Sequence, residues 1–136
     1  MTTVGAAEAD WSLEIGGGES AYVPMSDGAH VSVVHGPQGG HHIPVTAHLE
    51  GSDLSAIEAK PGRYPSLQIE VVVNGALQSR SVDMRSPAGA TATSVDFVYL
   101  TAFVQGDAHG AATITIKVAS EDGSKWAVAT RKVVID

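Results

Sequence analysis

The chain of 136 residues carries 8 Lys and Arg against 15 Asp and Glu, for a net charge of -7, with 43% apolar and 17% charged residues. That is enough chain for one core without a disulfide or metal staple, and the composition is globular, not disordered. Thinly spread cations exclude a phosphate backbone as partner and argue against an anionic membrane surface; the absence of Cys excludes disulfides, thiol catalysis and thiolate metal sites.

No apolar run approaches the length of a membrane span, so membrane insertion is not expected. The start, MTTVGAAEAD, has no basic segment and no apolar h-region, so no signal peptide is read there. The apolar side chains are mostly Ala and Val, a composition that suits pleated sheets better than helical ridges.

Residues 1–9 are small and polar and are expected to be a flexible N-terminus, with a single domain over 10–136. Trp11, Leu13 and Ile15 alternate with Ser12 and Glu14, predicting a strand with one buried face. Gly16-Gly17-Gly18 ends it. A short strand at 21–24 follows, confined to an edge by Pro24, and Ser26-Asp27-Gly28 is a turn.

Residues 29–35 and 41–50 read as the next two strands, separated by Gly36-Pro37-Gln38-Gly39-Gly40. The long connection 51–64 allows a helical turn or two at 53–60, capped by Ser52 or Asp53 and stopped by Pro61-Gly62. Leu67, Ile69, Val71 and Val73 define a strand that returns through Asn74-Gly75, a strong hairpin signal, into 77–85. After a loop at 86–92, the stretch 94–104 is apolar at nearly every position and is expected to be a central strand covered on both sides. Ile114, Ile116 and Val118 alternate with threonines and a lysine. Glu121-Asp122-Gly123-Ser124 then turns the chain into a last strand at 126–135. Trp11 and Trp126 are expected in the core.

These elements amount to an all-β fold of eight or nine short strands, an antiparallel β-sandwich with a barrel as the alternative. The terminal hairpin, ATITIKVASEDGSKWAVATRKVVI, resembles the last two strands of immunoglobulin-like or fibronectin-like modules. The likeness covers about the C-terminal third and implies an immunoglobulin-like sandwich, although the cysteine pair and tyrosine corner of true immunoglobulin domains are missing. GPQGGHHI at 36–43 is similar to a segment of small exported bacterial proteins of unknown function. That likeness favours an extracytoplasmic location over a cytoplasmic one.

Five of the 6 histidines fall between His30 and His48. If the strands around the glycine loop form a direct hairpin, Val33 faces Ile43, Val31 faces Val45, and His35 faces His41 at the mouth of the loop. The same register sets His30 diagonal to His48 on the outward face. Directly opposed positions bring two imidazoles within reach of one metal ion, and imidazole suits Zn, Cu or Ni. A candidate metal set is therefore His35 and His41, with His42 as third ligand, although no HExxH or other zinc spacing accompanies them. A one-residue slip would flip the side chains and part the pair. The plainer reading makes His30, His42 and His48 solvent-face polar residues and lets His35 and His41 cap the strand ends. Paired histidines also titrate near neutrality, which allows pH sensing.

Other chemistry is thinner. The glycine loop lacks the Lys-Ser/Thr and helix of a phosphate cradle, there is no Gly-x-Ser-x-Gly elbow, and no calcium loop appears. Asp107 and His109 read as a solvated turn, and Tyr64 as either a ligand-loop aromatic or an end plug. With no catalytic or cofactor-binding residues identified, the sequence points to a non-enzymatic module for protein interaction, self-association or cell-envelope structure. The alternative is a histidine-based protein that binds Zn or Cu.

Overall fold

The computed structural model describes residues 11–36, 40–52, 54, 66–83, 91, 93–120 and 125–136. Expectations for residues 1–9, the helical turn at 53–60 apart from Leu54, Tyr64, the turn at 121–124, and most of the loops at 36–40 and 86–92 lie outside them.

Among the described residues there is no helix. Ten strands are present: β1 Trp11–Gly17, β2 Val23–Pro24, β3 Ala29–Val31, β4 Val34–His35, β5 His41–Gly51, β6 Ser66–Val73, β7 Ala76–Asp83, β8 Ser94–Phe103, β9 Gly110–Ala119 and β10 Trp126–Ile135. They form two sheets, antiparallel except where β3 runs parallel to β10, which is consistent with a β-sandwich. In the first sheet β5 is the spine. It pairs with β8 along one edge, and on the other with β1 through residues 46–51 and with β4 through residues 41–42. The second sheet runs β3-β10-β9-β6-β7.

The core lies between the sheets because alternate residues of each strand point to one side. Trp11, Ile15, Ile43, Leu49 and Phe97 meet Leu67, Ile69, Ile114, Ile116 and Ile135 there, and all are buried. The Asn74-Gly75 turn has positive φ at both residues, 50° and 83°, the backbone of a two-residue hairpin turn whose twist matches its strands. Val73 accordingly pairs with Ala76.

Three expectations are corrected. The segment 29–35 is not one strand: β3 joins the second sheet beside β10, and β4 crosses to the first sheet to meet β5. The turn before it decides this. Asp27 accepts a hydrogen bond from the Lys132 amide at 3.0 Å, and the Gly28 amide donates to the Lys132 carbonyl at 2.8 Å, which docks the turn on β10. Val31 therefore pairs with Ile135, not with Val45.

The second correction concerns β8, which is not covered on both sides: Tyr99 and Phe103 are 50% and 43% exposed. Phe97 and Leu100 both belong to the core although an odd number of steps separates them. A bulge makes this possible, with Val98 and Tyr99 set against the single residue Thr46 of β5. Third, Trp126 is only half-buried at the sheet rim, where the Lys117 ammonium sits 5.4 Å from its ring centroid. Trp11 is in the core.

Candidate functional site

The histidines are distributed by the spine strand. β4 and β5 are held in register as Val34↔His42 and His35↔His41. The two opposed imidazoles meet edge to face with ring centroids 4.7 Å apart, and their Nδ1 atoms are 2.7 Å apart. One Nδ1–H donates to the other Nδ1, so the contact needs at least one ring unprotonated at that atom. His41 lies against the turn after β8: a Cβ placed on Gly106 would come within 2.8 Å of its Nε2, so a larger residue there would push the ring aside.

His42 is on the opposite face of β5, as the neighbour of His41 must be. Its ring stands edge-on to Phe103 at 6.4 Å. The fold thus brings His35 and His41 together and leaves His42 apart. No group of three or more His, Asp or Glu side chains is arranged to hold a metal ion among the described residues.

His30 and His48 are not diagonal neighbours. His30 is on the second sheet, its Nδ1 2.6 Å from an Asp136 carboxylate oxygen. His48 is held on the outer face of the first sheet between two carboxylates. Its Nδ1 lies 2.6 Å from Asp96 on β8, and its Nε2 lies 3.0 Å from Glu50, two residues along β5. Ionised carboxylates only accept, so the arrangement suits a ring that donates from both nitrogens and favours the imidazolium form. Burial opposes that charge, but the hydrogen bonds to Asp96 and Glu50, reinforced by their charges, prevail and hold the His48 pKa above its ordinary 6.5.

Tyr22 stacks on the His48 ring with centroids 5.2 Å apart, and its hydroxyl donates to Glu14 at 3.1 Å. Burial, then the hydrogen bond to Glu14 and its charge, push the phenol pKa up. The Gly16-Gly17-Gly18 run makes room for the ring. A Cβ on Gly16 would sit 2.5 Å from Tyr22 Cε1, and Gly18 takes a left-handed φ of 85° as the chain folds back over the sheet.

Farther along the same face the Glu19 carbonyl accepts from the Tyr99 amide at 2.9 Å. Tyr99 has φ +57°, a left-handed backbone rare for a bulky residue, and its ring is half exposed. Glu19, His42, Tyr99 and Thr101 line a notch of about 230 Å³ there. A wider cleft of about 470 Å³ opens where the chain crosses between sheets, lined by Met25, His30, Val31, Val34 and Pro44 among others. The turn residues Asp107 and His109 are exposed, as expected of a solvated turn, with His109 Nδ1 3.1 Å from the Asp107 carbonyl.

Sequence reasoning missed the partners of His48 and the aromatic face. The alternation of Ser12 with Glu14 and of His48 with Glu50 marked outward positions, and Asp96 alone broke an apolar run. Nothing local signalled that the three strands would lie side by side.

No protein-family model, curated protein or solved structure matches the chain. No described helix is long and apolar enough to cross a membrane.

Proposed function

We propose that this chain is a non-enzymatic, immunoglobulin-like β-sandwich module, a single domain over 10–136, that engages a protein partner through the outer face of its first sheet. The observation that carries this is Tyr99, a bulky side chain held half exposed on a left-handed backbone in mid-strand. Such strain persists where the surroundings over-determine it, and it clusters at binding and switch sites. The chain has only 2 Trp, 3 Tyr and 2 Phe, and Tyr22, Tyr99 and Phe103 share this one face with His42 and His48. Aromatic residues are what protein interfaces are enriched in. Two mostly antiparallel sheets across one core support the sandwich reading. The likeness of residues 36–43 to exported bacterial proteins supports a location outside the cytoplasm.

The test is site-specific photocrosslinking in producing cells. A photoreactive phenylalanine at position 99 or 103 is expected to give a discrete protein adduct, and one at Thr115 on the second sheet is expected to give none. Equal labelling at both faces, or no adduct at either, would overturn the reading.

A second reading, a histidine-based Zn or Cu protein, is favoured by the contact between His35 and His41. His42 is not part of that contact.

A further inference from the structure

The second reading has a geometric consequence, because only two imidazoles converge. We infer that His35 and His41 are half of a tetrahedral transition-metal site whose other half is the same pair from a second copy of the chain. The inference rests on the metal-binding reading and goes beyond it in stoichiometry and partner.

The donor atoms follow from the packing. His41 Nε2 is hemmed in by the Gly106 turn, whereas its Nδ1 points at the Nδ1 of His35. Backbone pairing fixes the two Cα positions opposite each other, so the chelating pair is largely preformed. Zn–N bonds of about 2.0–2.1 Å at a tetrahedral angle place two ligand nitrogens about 3.3 Å apart. The observed 2.7 Å is a hydrogen-bond distance. An incoming ion takes the Nδ1 lone pair of each ring: the shared Nδ1 proton leaves to solvent, the ring that held it takes up a proton at Nε2, and the nitrogens spread by about 0.6 Å, a small rotation of the exposed His35 ring.

Two nitrogens leave a tetrahedral ion half coordinated. His42 faces the other side of the sheet, and no described carboxylate or imidazole completes a set of three. The pair is exposed at the end of a two-residue strand, where a second molecule can approach. A two-fold axis through the ion presents the same patch twice and supplies four imidazoles, the isologous arrangement of most dimers. Charge selects for the metal as well. Each chain carries -7, so two copies repel, and a dication shared between them offsets part of that repulsion.

The experiment is a titration of the metal-free full chain with Zn²⁺ at neutral pH, followed by calorimetry and sedimentation velocity. Co²⁺ serves as a spectroscopic probe, since four-coordinate Co²⁺ has intense visible bands. The expected result is one ion per two chains and conversion from monomer to dimer, reversed by a chelator. H35A and H41A should each weaken binding at least tenfold and abolish the dimer, with far-UV circular dichroism unchanged, while H42A behaves as wild type. One ion per monomer without dimerisation would overturn the bridging site and leave the metal reading standing. No binding tighter than about 10 μM would sink both and leave the interaction module to its own crosslinking test. A dimer that forms without metal, or binding lost in H42A, would also overturn the bridge.

Discussion

His48 and Tyr99 are single residues whose settings lead to opposite expectations on substitution. The His48 pKa is raised in the fold, so its contribution is fully present below the unfolded value of about 6.5 and fades as pH rises through the folded value. The ring is 24% exposed and its partners Asp96 and Glu50 are 39% and 63% exposed, so solvent screening limits the effect. About 1 kcal/mol is expected for such a pairing. Denaturation midpoints of wild type and His48→Gln from about pH 5.5 to about pH 8.5 should differ most at the acid end. A gap that widened toward alkaline pH would contradict a raised His48 pKa. Tyr99 is a strained residue with little burial to lose. Tyr99→Gly should match or exceed wild-type stability in urea, because glycine accepts φ +57° freely. Tyr99→Val should cost about 1–2 kcal/mol, since a β-branched side chain tolerates that backbone worst. If Tyr99→Gly abolishes the adduct formed from position 103 while keeping stability, Tyr99 serves binding and not the fold.

At the scale of elements, the β1–β2 turn is fitted to the sheet beneath it. Gly16→Ala would drive a methyl group to 2.5 Å from both the Tyr22 ring and the Val23 carbonyl, and the latter is backbone that cannot rotate away. A loss of about 1–3 kcal/mol is expected, together with a weaker pH signature of His48, because Tyr22 must lift from it. An unchanged urea midpoint would mean the turn relaxes without cost. Thr46 holds the other side of that turn. It is buried opposite the β8 bulge, and its hydroxyl donates to the Gly17 carbonyl at 2.7 Å. Thr46→Val keeps the shape and removes the donor, and should cost about 1–2 kcal/mol by the same denaturation measurement.

For the whole molecule, stability should follow how many neighbours a strand has. β5, β6 and β9 each have strands on both edges and carry core residues on their inward face. Hydrogen exchange should be slowest in β6, β9 and residues 43–49, and fastest in the two-residue strands β2 and β4. Protection of β4 equal to that of β9 in the metal-free protein would argue against this ordering. Added Zn²⁺ should protect β4 selectively if the bridging site forms.

The sequence by itself determined most of the strands and the buried face of the alternating ones. Alternation at 67–73 and 113–118 fixes which side of each strand is buried, because a pleat has period two, and Asn74-Gly75 fixes one turn by its positive φ. A short glycine-bearing loop also made His35 opposite His41 legible, since a tight connection leaves few registers. What alternation does not encode is the identity of the neighbouring strand. Tertiary structure alone sent 29–31 to β10, because Asp27 found the Lys132 amide 105 residues away. It alone set His48 against Asp96, 48 residues on, and left Trp126 at a rim and Tyr99 on a face. Those contacts are long-range and polar or strained, and a local hydrophobic pattern carries no signal for either.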